Sequence, residues 1–254
     1  MRLSKVRVQN YRSIIDTGEF EVERLKTILV GPNEAGKTAI LQAIQQINAP
    51  EGTKKFDALR DYPRALYSQI SRGEVDAEDI EVVTATFELE QTDLDRAPEK
   101  IKEQPLSYTY TRYLGNNASH SINGARSPVY NDIKNDLIRL TAHLDRATVA
   151  GAAKIHTDSL NKITSTWSQY RSLSSDAVTL KAWLDEKLPY VDEDDEKEVA
   201  RWESLVATLD HAVEMQQFLS YLSKSKPVFV LYSNYFRVKP IIHLGNLATR
   251  LANG

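Results

Sequence analysis

Apolar positions recur with a period of two through the first half of the chain and with a helical period through most of the second. Val6 and Val8 alternate with Lys5, Arg7 and Gln9, which predicts a strand with one buried face. A second short strand is expected around Gly18 to Val22. Val83, Ala85, Phe87 and Leu89 alternate with Thr84, Thr86, Glu88 and Glu90, the cleanest such pattern in the chain. Leu106 to Leu114 is rich in Tyr and Thr and runs into the turn residues Gly115-Asn116-Asn117, so Ala118 to Ile122 is expected to pair back as a hairpin. Lys26 to Val30 differs from these. It is a short apolar run of the kind buried on both faces of a parallel sheet. Ile40, Leu41, Ile44 and Ile47 then fall at helical spacing.

The pattern changes near Ser127-Pro128, where serine as cap and proline at the first helical position suit a helix start. Val129, Ile133, Leu137, Leu140 and Leu144 hold one face of that helix. Leu160, Ile163, Trp167 and Tyr170, then Leu180, Trp183, Leu184 and Leu188, mark shorter helices. A long helix carries Val199, Trp202, Leu205, Val206, Leu209 and Val213. No heptad persists over many turns, which favours a compact helical insertion over a long coiled coil. Pro227 closes it, and Val228 to Tyr232 returns as a short apolar strand. The division expected is a first lobe over 1–126, a helical insertion over 127–226 and a return to the first lobe over 227–254. Residues 49–79 lack periodicity and read as a surface connection, with a short helix after Pro63.

Between the run at Lys26 and the helix at Ile40 stands Gly31-Pro32-Asn33-Glu34-Ala35-Gly36-Lys37-Thr38, a complete match to the phosphate-binding loop G-x-x-x-x-G-K-[ST]. Two glycines let backbone approach closely, and successive N–H groups form a nest for phosphates. Lys37 can reach the β- and γ-phosphates of ATP, and the Thr38 hydroxyl can hold Mg²⁺. The helix that follows, from Ala39, adds its positive dipole end. Strand, glycine loop and helix follow in the order this chemistry requires, so the fold class expected is α/β (α+β), a P-loop NTPase with a mixed sheet.

Composition narrows the setting. With 32 basic and 35 acidic residues the net charge is −3, which gives no whole-chain attraction to nucleic acid. No apolar stretch approaches the roughly 20 residues that span a bilayer, the N-terminus lacks a signal-peptide core, and there is no cysteine, so a cytoplasmic location is expected. His120, His143, His156, His211 and His243 show no metal-ligand spacing and read as ordinary. The run Asp192 to Glu198 reads as a solvated loop that favours the start of the next helix. The second acidic motif of a hydrolysing P-loop enzyme has no convincing example. Tyr190-Val191-Asp192-Glu193 lacks the strand, and Val228 to Leu231 is followed by Tyr232-Ser233-Asn234 instead of acids. These 254 residues read as part of an ATPase site, completed elsewhere.

Gln9-Asn10-Tyr11-Arg12-Ser13-Ile14, followed by the phosphate loop with Asn33 at its third position, resembles the N-terminal segment of ABC-type ATPases of the chromosome-maintenance (SMC), RecF-like and OLD (overcoming lysogenization defect) families. Asp61-Tyr62-Pro63-Arg64, the Tyr/Thr-rich strand and the helical insertion look most like the OLD group, which includes ATPases of antiphage systems such as Gabija. The resemblance implies an ABC/SMC-like head lobe with Arg12 and Ser13 beside the nucleotide, and ATP and Mg²⁺ as cofactors. It also implies a homodimer or higher oligomer joined through the heads. DNA as the complete protein's partner, a C-terminal nuclease gated by ATP, and a helicase-like or effector partner protein follow from the same resemblance. A RecF-like or SMC-like repair ATPase and a nucleotide-sensing scaffold that does not hydrolyse ATP are the alternatives.

Overall fold

The alternating runs assemble into one antiparallel sheet in the computed structural model, which describes residues 1–32, 35–148, 154–174 and 176–232. In chain order the elements of the first part are β1 (Arg2–Tyr11), β2 (Ile14–Glu21), α1 (Lys37–Gln45), α2 (Ala58–Asp61), α3 (Tyr67–Ser71), β3 (Glu81–Glu88), α4 (Gln91–Leu94), β4 (Ser107–Tyr113) and β5 (Ala118–Asn123). The strands lie in the order β2-β1-β3-β4-β5, and every pairing among them is antiparallel.

Register separates the two faces. Phe20, Val6, Ala85, Tyr110 and His120 face one another in turn across all five strands. Phe20, Val6, Ala85 and Tyr110, with Val8, Phe87 and Tyr108, form the face that packs against Ala39, Ala43 and Ile47, while His120 at the sheet edge is exposed. The opposite face is polar. Thr84 bonds Thr111 and Thr86 bonds Thr109 across β3 and β4 at 3.1 and 3.3 Å, while Arg7–Asp16 and Lys5–Glu19 pair across β1 and β2. One covered and one solvated face is what period-two alternation specifies in an antiparallel sheet.

The second part is helical: α5 (Tyr130–Thr148), α6 (Ile155–Thr164), α7 (Ala177–Lys187) and α8 (Glu196–Lys224). Leu137, Leu140 and Leu144 of α5, Leu160 of α6, Leu180 and Leu184 of α7, and Leu205 and Leu209 of α8 make a separate core. α8 joins the two cores. Its later residues Met215, Phe218 and Leu222 leave the helical core and pack under the sheet. Among the described residues no helix is long and apolar enough to cross a membrane.

Several elements differ from expectation. Lys26 to Val30 join no strand; Ile28 is 66% and Val30 90% exposed. An apolar run becomes a strand only beside ladder partners, and the sheet of the described residues places none there. Val228 to Tyr232 likewise form no ladder; Phe229 instead donates its N–H to Asn48 O at 2.9 Å and packs toward Phe87. Residues 233–254 lie outside the described residues, so the rest of the expected return lies there too. α1 turns its alanines inward, leaving Leu41 45% exposed, because only small side chains fit that close to the sheet. α5 begins at Tyr130 and not at Pro128. The preceding backbone is committed to a bridge between Val129 and Ser172, and Asp132 accepts the Val129 N–H at 2.9 Å. α6 stops at Thr164, so Trp167 leaves the helix to pack edge-on against Tyr130 and Tyr170 is exposed.

Among the described residues, Lys226 is a cation that burial penalises. Its Nζ lies 3.8 Å from the Tyr110 ring centroid. Desolvation, with Arg112 nearby, pushes its pKa down to about 8. A base whose pKa is lower in the folded protein opposes folding while it is protonated, and the penalty disappears as pH rises through the window from about 8 to 10.5. Lys226→Met is therefore expected to stabilise the protein at neutral pH by on the order of 1 kcal/mol, the shift being discounted for residual solvent. Thermal melts of both proteins across this pH range should show the advantage vanish at the alkaline end.

Candidate functional site

Tyr11 pairs with Ile14, so Arg12 and Ser13 are the two-residue tip of the β1–β2 hairpin. Arg12 has φ +54°, a left-handed conformation that tight hairpin tips require and that a non-glycine residue adopts at a cost. Contacts offset that cost. The Arg12 N–H donates to Asp61 O at 2.6 Å and its Nε to Asp61 Oδ1 at 3.0 Å. The guanidinium also donates to Gln42 Oε1 on α1 and lies 5.1 Å from the Tyr11 ring centroid. Asp61 is only 2% exposed, and its Oδ2 accepts the Asp57 N–H at 3.0 Å. The segment expected to be a surface connection thus buries Asp61, Tyr62 and Pro63 and anchors the hairpin tip.

The phosphate loop lies against this tip. Gly36 has φ +86° and precedes α1. A Cβ there would come within 2.4 Å of Ile14 Cδ1 and 3.2 Å of Ser13 Oγ, so both its conformation and its space call for glycine. No side chain caps α1 and no acidic residue stands in its first turn. Among the described residues no side chain takes its terminal N–H groups, an arrangement that suits an anion. Lys37 Nζ donates to Gly31 O at 2.7 Å and Pro32 O at 2.5 Å, which holds the ammonium over the mouth of the loop. Thr38 is exposed. Ala39 is buried in the sheet core, so only its backbone can face a ligand. Asn33 and Glu34 lie outside the described residues. Beside α1, Arg12, Lys54, Lys55 and Arg60 line a cleft of about 180 Å³ with Gln42 and Asp61, and its excess of cations favours an anionic ligand. These features fit a nucleoside triphosphate with its phosphates at the helix end.

The structure brings Arg12, Ser13 and Gly36 to Thr38 into one place. Asp61 and Gln42 are the residues that sequence reasoning did not assign. Asp61 stood in the sequence only as the first residue of Asp61-Tyr62-Pro63-Arg64, and no local pattern tied it to Arg12 across 49 positions.

A glycine loop running into an uncapped helix that packs on an antiparallel sheet defines a P-loop nucleotide-binding protein. The chain matches the AAA ATPase domain over residues 1–198 and belongs to that family of ATP-binding ATPases. Among solved structures it is similar to the Smc head domain with an extended coiled coil bound to the C-terminal domain of ScpA, from Pyrococcus furiosus. The identity is 16%, the TM-score 0.30, and the match covers 88% of this chain and 58% of that one. The chain therefore spans under two thirds of that relative's length. No curated protein matches the chain in sequence.

Asp61→Ala should remove acceptors from Arg12 and Asp57 together and destabilise the protein by about 1–3 kcal/mol. Arg12→Ala should cost less, because the guanidinium is 40% exposed and water replaces it. Urea unfolding of the two variants measures the difference.

Proposed function

We propose that this chain is the MgATP-binding segment of an OLD-like, ATP-dependent DNA endonuclease of antiphage defence, in which ATP binding and hydrolysis gate a nuclease carried outside these residues. The observation that carries the nucleotide role is the seating of Lys37 Nζ on the loop carbonyls at the uncapped start of α1, with the Arg12 tip anchored alongside. In this reading Gly31 to Ala39 embrace the triphosphate, Lys37 is the catalytic residue at the β- and γ-phosphates, Thr38 holds Mg²⁺, and Arg12 and Ser13 contact the nucleotide from the hairpin.

The exposed apolar residues flanking the loop support completion by further strands. Leu25, Ile28 and Val30 before it, and Val228 and Val230 in the later segment, are all more than half exposed. Two such heads would close on ATP as a homodimer, and the closed state must bind ATP better than the open one for the nucleotide to act as a switch. DNA and an effector or helicase-like protein would be partners of the complete assembly. The boundaries 1–126, 127–226 and 227–254 belong to the same proposal. They are supported by the two separate cores, although α8 contributes to both.

Calorimetric titration tests the nucleotide site. Lys37→Ala should weaken MgATP binding on the order of a hundredfold, the worth of its charge-assisted bonds to phosphate. Thr38→Ala should chiefly abolish the Mg²⁺ dependence. Unchanged affinity in both variants would overturn the assignment. Single-turnover phosphate release separates the readings beyond it: binding without release, even with the remaining strands supplied, favours a nucleotide-sensing scaffold. ATP-dependent DNA cleavage by the complete protein supports the nuclease, and release without cleavage supports a repair ATPase.

A further inference from the structure

One histidine that reads as ordinary by its spacing meets the acidic run in the fold. His143 of α5 and Asp195 and Glu198 at the start of α8 each bring one ligand-competent atom within 4.8 Å of the others. The two carboxylates each have one oxygen already committed to holding them in place. Asp195 caps α8, with Oδ1 accepting the N–H groups of Lys197 and Glu198 at 3.0 and 3.3 Å. Glu198 Oε1 pairs with the Arg201 guanidinium, which also lies 3.7 Å from Asp136.

Among the described residues, what remains is unpaired. Glu198 is only 8% exposed, and its Oε2 is buried with no hydrogen-bond partner. His143 Nδ1 stands 4.0 Å from Glu198 Oε1, beyond hydrogen-bond reach, while its Nε2 is buried without a partner. Buried polar atoms in native proteins are nearly always satisfied, and two orphans in one cluster point to a missing ligand. Three carboxylates against one guanidinium leave the group net negative, so the ligand is a cation.

We propose that His143, Asp195 and Glu198 bind a divalent first-row transition-metal ion, with Zn²⁺ as the fitting example, that clamps α5 to the N-terminus of α8. An imidazole with two carboxylates suits such an ion better than Mg²⁺ or Ca²⁺, which take oxygen ligands. Binding at about 2.1 Å needs ligand atoms roughly 3.4 Å apart, so the separations of up to 4.8 Å shorten by up to about 1.4 Å. Arg201 then serves as the outer partner that orients the Glu198 carboxylate. Water completes the coordination.

Titrating Zn²⁺ into the full chain, without nucleotide and in excess Mg²⁺ to occupy oxygen-only sites, tests the proposal. The expected result is one equivalent bound with micromolar affinity and a higher melting temperature. Co²⁺ in place of Zn²⁺ should give visible ligand-field absorption. His143→Gln, Glu198→Gln and Asp195→Asn should each weaken binding roughly tenfold or more. Asn at 195 keeps the helix cap, so its loss would not reflect unwinding of α8. Absence of saturable Zn²⁺ binding by the unaltered protein overturns the proposal, whatever the variants do. Binding that survives His143→Gln in a folded protein overturns it equally.

Discussion

Buried Asp61, whose carboxylate holds the Arg12 guanidinium and whose backbone carbonyl holds the Arg12 N–H, is the joint on which the nucleotide site depends. It fixes a left-handed hairpin tip that would otherwise be free to relax, and it does so from a segment distant in sequence. With the tip fixed, Ile14 and Ser13 come so close to Gly36 that any side chain there would collide. The start of α1 is thus held from one side by the hairpin, and its alanines hold it from below. A loop that must offer backbone donors to phosphates works best when its flanks do not move, because positioning is most of what P-loop catalysis needs.

Charge follows from the same arrangement. Asp61 spends its charge on Arg12, while Lys54, Lys55 and Arg60 around the cleft are left to act on a ligand. α1 itself offers an uncapped N-terminus with no carboxylate in its first turn. At the other end of the molecule, α8 runs unbroken from the helical core into the sheet core. The cluster at His143 sits at the N-terminal end of this helix.

Much of this was legible in the sequence for a plain reason. Antiparallel strands with one wet face write their period directly, so Val6 and Val8, Val83 to Phe87 and the hairpin after Leu114 all appear in the sheet where alternation placed them. The glycine loop was legible because its chemistry needs fixed residue types at fixed spacing. Lys26 to Val30 suits a strand by its continuous apolar run, but such a run describes only what a strand wants around it, and the described residues supply no neighbour. The Asp61 anchor and the His143 cluster were hidden for another reason. Both are made by tertiary contact between residues far apart in the chain, with no period to announce them. Trp167 and Tyr170 kept a helical spacing past the true end of α6, since three or four matching positions cannot show where hydrogen bonding stops.

A crystal structure of the chain with Mg²⁺ and a non-hydrolysable ATP analogue would show whether the loop and the hairpin tip hold the nucleotide together. The expected result is the β- and γ-phosphates on the backbone N–H groups of Gly36 to Thr38, Lys37 Nζ transferred from the loop carbonyls to the phosphates, Mg²⁺ at the Thr38 hydroxyl, and Arg12 beside the nucleotide while still bonded to Asp61. A nucleotide bound away from this loop, or a hairpin tip that swings off Asp61 when the loop fills, would contradict it.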